Sequence, residues 1–371
     1  MPAVKIRENI YSVGAKDYDI RDFHGYGTPK GSTYNAFLIL DEKITLIDTV
    51  KAPFAGDLIE NIRQVVDPGK IDYIISNHAE PDHSGATPAI ADLAPNAVVI
   101  CSPNDVKTME TYYKRSFNFK VAKTGDSLCT GKYNFEFINT PMVHWPDNMV
   151  TYLKEEKILF SNDAMGQHNA TPYTFDDEIG LLEMLANAKN YYANIVLPFG
   201  VQVQKLLKDV SGYGIEMICP SHGIIWRSYI PEIVKKYDDW SKNKVDENLA
   251  VIIYETMWGN TGEMAKQIEN EFAEKGIRCK HLHLKYNHIS TCIDELMEAK
   301  YICVGSPTLN RNIMPAVASF LCYLDGLHPT GRVGLAFGSY GWSGESPKII
   351  EEALRKMGYE MLETRKSQYR I

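Results

Sequence analysis

The sequence predicts an α/β protein of two domains, a strand-rich N-terminal domain followed by a parallel-sheet domain. At 371 residues the chain is long enough for two domains that each bury a core. Apolar residues make up 44% of the chain and charged residues 23%, as in a soluble globular protein. The spacing of the apolar residues changes at a charged stretch, 235–247. We therefore predict domains at residues 1–247 and 248–371.

Short apolar runs in the N-terminal part predict strands with helices between them. Residues 34–40 and 44–47 flank a polar turn and predict a hairpin. Further strands are predicted at 97–101, 135–139, 149–153, 158–161, 195–197 and 216–219. Helical spacing of apolar residues predicts helices at 54–65, 105–113 and 181–192. This alternation predicts a layered α/β fold or an αββα sandwich.

The C-terminal part alternates more regularly between strands and helices. Strands are predicted at 249–254, 280–284, 301–304, 332–337 and 360–365, and helices at 262–275, 289–299, 315–324 and 346–357. A βαβ alternation on this scale is typical of a small doubly wound domain with a parallel sheet.

Charge and composition argue against several classes of protein. The formal charge of −8 disfavours nucleic acid as the main partner, because phosphate contacts need a basic face. No segment has the roughly 20 uninterrupted apolar residues of a membrane helix, and the first residues are too polar for a secretory signal. The seven cysteines never fall at Cys-x-x-Cys spacing, which disfavours a disulfide framework, a zinc ribbon and an iron–sulfur or rubredoxin module. We expect a cytoplasmic protein with no nucleic-acid or membrane partner.

A cluster of potential metal ligands follows the apolar run 71–76. His78, Glu80, Asp82 and His83 fall within six positions. A short loop after a buried strand can aim alternating residues at one point, because successive side chains of extended backbone point to opposite faces. Three further candidates stand downstream in turn-like settings: His144, Asp163 and His222. Seven candidate ligands are enough for a two-metal centre.

This pattern resembles the metallo-β-lactamase fold, whose usual signature is His-x-His-x-Asp-His, completed by a later His, an Asp and a final His at strand ends. Glu80 stands where the signature has its second His. A carboxylate there makes the site harder and more anionic, which favours iron over zinc. The ligand set that the resemblance implies is His78, Glu80 and His144 for one iron, Asp82, His83 and His222 for the other, and Asp163 as the bridge. Whether His83 ligates stays open, because its counterpart in the redox branch of this fold does not always reach the metal.

Ligating imidazoles need neighbouring acceptors that fix their tautomer. Asp48 occupies a place where this fold carries an Asp close to the metals, so we expect it to orient a ligand, against the alternative of an ordinary turn residue. Aromatic and imidazole side chains that could line a substrate pocket, or serve only in packing, are Phe23, His24, Tyr26, Trp145 and Tyr192.

A second site is predicted where the strand 249–254 leads through residues 255–262 into a helix. Hydroxyls at Thr256 and Thr261 and the helix N-terminus suit a phosphate group. The absence of Gly-Lys-Ser/Thr and of Gly-x-Gly-x-x-Gly disfavours a nucleoside triphosphatase or a dinucleotide site. The loop resembles the FMN-phosphate signature of flavodoxins.

Two more loops, 305–310 and 338–344, follow strands of the same sheet, where doubly wound folds bind ligands. In flavodoxins the corresponding loops enclose the flavin ring, and candidate ring contacts here are Trp258, Leu309 and Trp342. The full set of candidate FMN contacts is Thr256, Met257, Trp258, Gly259, Asn260, Thr261, Ser306, Pro307, Thr308, Leu309, Asn310, Ser339, Tyr340, Gly341, Trp342 and Gly344.

Together the two sites resemble the flavodiiron proteins. The resemblance implies a metallo-β-lactamase-like αββα sandwich followed by a flavodoxin-like doubly wound parallel sheet, in the simplest two-domain class. It also implies reduction of O2 to water and/or NO to N2O at a non-haem di-iron centre fed by FMN. The implied partners are an external electron donor (a rubredoxin-like protein or a reduced deazaflavin coenzyme) and a second copy of the chain in a head-to-tail dimer or a dimer of dimers.

Two alternatives remain open. One is a zinc hydrolase of the glyoxalase or lactamase type with an appended flavin domain, and the other is a flavin electron carrier whose metal domain serves for docking. Glu80 argues against the hydrolase. The sequence does not choose between O2 and NO, since the same irons bind both small neutral molecules.

Overall fold

The computed structural model describes residues 2–369, which divide into two compact units. The first contains residues 2–23, Thr28–Tyr192 and Val201–Asp238, and the second contains His24–Gly27, Ala193–Gly200 and residues 239–369. The domain boundary at 247/248 stays a prediction, and a strand that begins at Asp246 runs across it.

Short strands and helices alternate through the first 241 residues. The strands are β1 (Val4–Arg7), β2 (Ile10–Ser12), β3 (Ala15–Asp17), β4 (Asp22–Phe23), β5 (Tyr26–Gly27), β6 (Ser32–Tyr34), β7 (Phe37–Ile39), β8 (Ile44–Ile47), β9 (Ile71–Ser76), β10 (Val98–Cys101), β11 (Phe119–Val121), β12 (Ser127–Cys129), β13 (Asn134–Asn139), β14 (Met149–Leu153), β15 (Ile158–Asn162) and β16 (Met217–Pro220). The helices are α1 (Ala55–Arg63), α2 (Pro81–Ser84), α3 (Thr87–Leu93), α4 (Pro103–Tyr113), α5 (Leu181–Tyr191), α6 (Gly200–Val210) and α7 (Ile230–Ser241).

Two sheets pack face to face in the first unit. One has the order β1-β2-β7-β8-β9-β10-β11 and the other the order β12-β13-β14-β15-β16. Their shared core takes Ile47 and Ile75 from the first sheet and Phe135 and Phe160 from the second. The predicted hairpin is present, with β7 antiparallel to β8. The predicted αββα sandwich is confirmed.

One predicted strand, 195–197, is wrong. A π-helical turn, Tyr192–Val196, continues α5, and a 3-10 turn follows at Leu197–Phe199. A three-residue apolar run fits a buried helical turn as well as a strand, because it is too short to show a period. The charged stretch 235–247 holds the end of α7 and the first residues of the next strand.

A parallel sheet with helices forms the second unit. Its elements are β17 (Asp246–Tyr254), α8 (Asn260–Glu274), β18 (Arg278–His283), α9 (Ile289–Leu296), β19 (Ala299–Gly305), α10 (Pro315–Leu327), β20 (Val333–Tyr340), α11 (Ser346–Lys356), β21 (Glu360–Met361) and β22 (Arg365–Gln368). The strand order is β18-β17-β19-β20-β21, and β22 also pairs with β20. The doubly wound sheet is confirmed, although the last predicted strand is divided into two short ones. Within residues 2–369, no helix has the length and apolar character needed to cross a membrane.

Candidate metal centre and flavin site

The seven predicted metal ligands of the first unit lie together, in the segments that follow β9, β13, β15 and β16. The loop that carries His78 and Glu80 follows β9, Asp163 follows β15, and His222 follows β16. Strands β15 and β16 are parallel neighbours, so their carboxyl ends deliver Asp163 and His222 to the same edge. The side chains form two groups: His78, Glu80, His144 and Asp163 in one, and Asp82, His83 and His222 in the other.

The first group is arranged around a pair of carboxylate oxygens. Glu80 Oε2 lies 3.3 Å from both His78 Nε2 and His144 Nε2. Asp163 Oδ2 lies 3.6 Å from His78 Nε2 and 3.3 Å from His144 Nε2. All of these side chains are buried except His144, which is partly exposed. Two imidazoles and two carboxylates therefore converge on one point.

The second group shares Asp163 with the first through its other oxygen. Asp163 Oδ1 lies 3.1 Å from His83 Nε2 and 3.6 Å from His222 Nε2. Asp82 presents Oδ1 to His83 at 3.4 Å and Oδ2 to His222 at 3.1 Å. One carboxylate that offers a separate oxygen to each group has the geometry of a bridging ligand.

These distances fit ligands around metal ions. Donor atoms bound at about 2.1 Å to one ion are separated by about 3.0–3.4 Å, from an octahedral to a tetrahedral arrangement. Buried polar atoms normally have hydrogen-bond partners. Across residues 2–369, no hydrogen-bond partner is present for His78 Nε2, for either ring nitrogen of His83 or for Asp163 Oδ2. The residues present therefore suit two hard or borderline cations better than a hydrogen-bonded core.

Opposite charges dominate the titration of this buried cluster. Burial alone lowers the pKa of His78, but its hydrogen bond to Asp147 and the nearby Glu80 carboxylate outweigh burial and raise that pKa well above its usual value. Burial likewise raises the pKa of Asp163, but His83 and His144 outweigh it and hold the pKa well below the usual range. The carboxylates are therefore ionised ligands, and bound cations would take the place of imidazole protons.

Outer contacts orient two of the imidazoles. His78 Nδ1 donates to Asp147 Oδ2 at 2.6 Å, and the same oxygen accepts the Ala79 N–H at 2.7 Å. His222 Nδ1 lies 2.6 Å from the Thr33 carbonyl oxygen. Both contacts fix the tautomer that leaves Nε2 free to bind metal. Sequence reasoning missed Asp147, although an acidic residue three positions after His144 was a usable signal.

Asp48 binds the backbone of the loop that carries His78, and it does not accept a hydrogen bond from the imidazole ring of a predicted ligand among the contacts described. Its carboxylate accepts the Asn77 backbone N–H at 2.7 Å and the Asn77 side-chain N–H at 3.0 Å, one residue before His78. Asn77 in turn accepts a hydrogen bond from Thr151 at 2.7 Å. Asp48 therefore positions the backbone, and the acceptor for an imidazole is Asp147.

The predicted pocket residues differ in whether they contact a predicted metal ligand. Trp145 packs edge-on against His78, with ring centroids 5.2 Å apart. Tyr192 is buried against Tyr237 at 5.0 Å. Its neighbour Tyr191, which was not predicted, donates to Asp163 Oδ1 at 3.1 Å.

Further aromatic contacts surround His222. Phe23 packs edge-on against His222 at 6.0 Å and stacks on His168 at 5.0 Å. His24 is exposed and Tyr26 is buried, and both belong to the second unit, so their place in a pocket stays a prediction.

The phosphate loop of the second unit runs between β17 and α8. Gly259 precedes the helix with φ +88°, and no described atom lies within 4 Å of a Cβ built there. Thr256 Oγ1 accepts the Gly259 N–H at 3.1 Å, and the Thr261 hydroxyl is buried. The first N–H groups of α8 have no partner within the helix and point out of its N-terminus. An open, hydroxyl-lined helix N-terminus suits a phosphate group.

Two other loops reach the same edge of the sheet, because β17, β19 and β20 are adjacent parallel strands. Thr261 Oγ1 lies 2.7 Å from Ser339 Oγ, and the Thr308 N–H donates to the Ser339 carbonyl at 2.8 Å. Trp258 and Trp342 are each 77% exposed. The predicted loops therefore meet, with two large aromatic surfaces open to a planar ligand.

Glu255, at the start of the phosphate loop, was missed. Its Oε1 accepts the Thr256 N–H at 3.0 Å and lies 2.7 Å from His283 Nε2. Tyr254 stacks on His283 at 5.1 Å. These contacts fix the first residues of the loop.

Comparison with known proteins covers both units. A family model described as ODP family beta lactamase matches residues 33–223, and a flavodoxin model matches residues 252–368. The chain is 43% identical over 364 residues to the nitric oxide reductase of Moorella thermoacetica, which covers 97% of this chain and 91% of that protein.

Two solved structures show the same architecture. The rubredoxin oxygen:oxidoreductase of Desulfovibrio gigas is 41% identical with a TM-score of 0.96, covering 99% of this chain and 93% of that one. The flavodiiron protein of Giardia intestinalis is 32% identical with a TM-score of 0.95, covering 100% and 92%. Both matches extend over the sandwich and the doubly wound sheet.

Proposed function

The chain belongs to the flavodiiron protein family, and on that premise we propose that it reduces O2 to water and/or NO to N2O at two iron ions fed by FMN. The observation that carries the proposal is the carboxylate of Asp163, which offers Oδ2 to one donor group and Oδ1 to the other. A shared carboxylate supports a coupled pair of ions. Because Glu80 is in the first group, the site has more oxygen donors than the nitrogen-rich sites of the zinc hydrolases of this fold.

We assign the seven donors to the two ions as the groups suggest. His78, Glu80 and His144 would hold one iron, Asp82, His83 and His222 would hold the other, and Asp163 would supply a ligand oxygen to each. When bound, two ferrous ions and one reduced FMN supply the four electrons that convert O2 to two waters, whereas two electrons convert two NO to N2O and water. The buried carboxylates supply negative charge that favours the oxidised ions, and Asp147 and Tyr191 keep their ligands in place.

FMN is assigned to the three loops at the carboxyl edge of the second sheet. The N-terminus of α8, with Thr256 and Thr261, would hold the phosphate. Trp258, Leu309 and Trp342 would contact the flavin ring. The rest of the chain positions these groups and tunes their charge, while iron and flavin carry the redox chemistry.

We infer a head-to-tail dimer, or a dimer of such dimers, because the donor groups and the flavin loops belong to separate units of one chain. In that arrangement the flavin of one chain serves the irons of its partner. At an FMN concentration that loads the Glu80→Ala chain but leaves Thr261→Val largely unloaded, mixing and reassembling the two variants should restore turnover, since a mixed dimer keeps one intact pair of sites. No recovery in mixed dimers would contradict this arrangement.

The electron donor is proposed to be a rubredoxin-like protein or a reduced deazaflavin coenzyme, and the protein is proposed to work in the cytoplasm. Rates of flavin reduction by each purified donor would choose between the two. A donor that docks through locally charged contacts should also react more slowly as ionic strength rises.

The proposed activity is tested by single turnover. Anaerobically reduced protein, loaded with iron and FMN, is mixed with stoichiometric O2 or NO while oxidation is followed by absorbance. Fast, complete reoxidation by at least one gas is expected, and Glu80→Ala should abolish it. The matched control is Glu155→Ala, at an exposed carboxylate that bonds only Asn134 among the contacts described. Zinc-loaded protein without redox turnover would favour the hydrolase, and intact turnover in Glu80→Ala would favour a flavin carrier.

A further inference from the structure

A buried carboxyl group, that of Asp105, is close enough to Asp147 and His78 to feel the charge of both. Asp105 is in the first turn of α4 and is 0% exposed. In the part of the chain that the structure describes, neither of its carboxyl oxygens has a hydrogen-bond partner. Asn104 Nδ2 donates to the Pro146 carbonyl oxygen at 2.9 Å, which ties this turn of the helix to the loop that carries Asp147. The mechanism described above makes no use of Asp105.

Polar and titratable groups on several surrounding elements interact electrostatically with this carboxyl. They are Asp147 from the loop before β14, His78 and the Ser76 hydroxyl from the end of β9, Asp48 from the end of β8, Cys101 from β10 and Tyr113 from α4 itself. Two causes raise the pKa of Asp105 to about 8: burial is the larger, and the nearby Asp147 carboxylate is the second. Ser76 and His78 lower that pKa but do not outweigh them, and Ser76 falls short of hydrogen-bond geometry to either oxygen.

Helix capping does not account for Asp105. The sequence Ser102-Pro103-Asn104-Asp105 has the spacing of a capping box, in which the acid would bond the N-cap backbone. That box is not formed, since within residues 2–369 the Ser102 hydroxyl also has no hydrogen-bond partner. The helix dipole would favour an ionised Asp105. An unpartnered carboxylate beside a second carboxylate is nevertheless the costlier state in a buried site.

We propose that Asp105 is a neutral carboxylic acid whose proton is linked to the oxidation state of the metal centre, bound when the centre is reduced and released when substrate oxidises it. Asp105 is a positioning residue in this account, because it acts through Asp147 on His78 and touches neither substrate nor cofactor. The inference rests on the proposed function. Its physical cause is charge balance. Each electron that leaves the centre makes the metal site more positive, and a more positive site stabilises the negative charge of an ionised Asp105.

Protons and electrons balance in this scheme. Conversion of O2 to two waters consumes four electrons and four protons, and conversion of two NO to N2O and water consumes two of each. Those protons come from solvent. Oxidation of the centre breaks the Asp105 O–H bond and the proton returns to solvent, so Asp105 changes the charge beside Asp147 without altering the overall balance. When the external donor reduces the centre again, Asp105 recovers a proton from solvent.

Infrared difference spectroscopy of the iron- and FMN-loaded protein tests the proposal. The reduced-minus-oxidised spectrum should contain the C=O band of a protonated carboxylic acid, which shifts in D2O and is lost in Asp105→Asn. Asp105→Glu should restore a band at a shifted position, and Asp41→Asn, at a carboxylate remote from the donors, should leave it unchanged. The midpoint potential of the centre should also depend less on pH in Asp105→Asn than in the wild type.

Iron-loaded protein that cycles between the two states with no band sensitive to Asp105 would overturn this inference alone. A band present at equal intensity in both states would do the same. Protein that binds no redox-active iron would instead overturn the proposed function. Iron content and melting temperature, measured for each variant, separate a misfolded variant from an informative one, and Asp105→Glu provides a second test if Asp105→Asn does not fold.

Discussion

Replacing Asp147 with Asn should weaken iron binding at the group that contains His78 and Glu80. Asp147 Oδ2 accepts from His78 Nδ1 at 2.6 Å and from the Ala79 N–H at 2.7 Å. An amide oxygen in the place of Oδ2 can keep both hydrogen bonds, but the substitution removes the charge that makes His78 a stronger ligand. Loss of such an outer contact typically lowers metal affinity about 10–100-fold, which corresponds to roughly 1.4–2.8 kcal/mol. The second iron, held without His78, should bind almost as before.

The assay is anaerobic titration with ferrous ion against a competing chelator, which gives an apparent Kd for each of the two sites. Asp41→Asn is the matched control. Asp41 also accepts several hydrogen bonds, from the Lys132 and Tyr133 backbone and the Thr130 hydroxyl, but none from a proposed ligand. Wild-type affinity at both sites in Asp147→Asn, or an equal loss in Asp41→Asn, would refute the reasoning.

Three further substitutions test other parts of the account. Glu80→His should shift the metal content of purified protein from iron to zinc, as measured by elemental analysis, because a nitrogen donor replaces a hard oxygen donor. Thr261→Val should weaken FMN binding by about tenfold in a fluorescence titration. The substitution removes a buried hydroxyl at the start of α8, which bonds Ser339 at the end of β20. Gly305→Ala should lower the free energy of unfolding by about 1–3 kcal/mol in urea, because its Cβ would lie 2.2 Å from the Phe337 ring.

Each of these has a control from the same chain. Glu155→His should leave the metal content unchanged, and Thr111→Val, on an exposed face of α4, should leave FMN affinity unchanged. Gly326→Ala should stabilise by up to about 1 kcal/mol, since Gly326 lies inside α10 with no described atom within 4 Å of its added Cβ. Iron retention in Glu80→His, or destabilisation of equal size in both glycine variants, would contradict the corresponding argument.

The donor residues could be predicted from the sequence because each stands just after a strand or in a turn. Parallel strands end at one edge of a sheet, so residues distant in sequence, such as Asp163 after β15 and His222 after β16, meet there. The same reasoning predicts that the three flavin loops meet, since β17, β19 and β20 are recognisable as strands of one parallel sheet, in which they are neighbours. A long apolar run in the sequence predicts both the type of secondary-structure element and the residue at which it ends.

The partners of those donors could not be predicted in the same way. Choosing between Asp48 and Asp147 as the acceptor for His78 depends on the path of the loop 143–148, which has no period to read. Choosing between Tyr191 and Tyr192 depends on a rotation of about 100° per residue, at the point where α5 widens into a π-helical turn. Strands β1 to β6 were largely missed because each spans only two to four residues.

The most direct measurement is anomalous X-ray diffraction at the iron edge from crystals of protein loaded anaerobically with iron. We predict two iron peaks per chain, one within the group that contains Glu80 and one within the group that contains Asp82, with an oxygen of Asp163 bound to each. A single peak, zinc in place of iron, or an Asp163 carboxylate bound to one ion alone would contradict the account of a bridged di-iron centre.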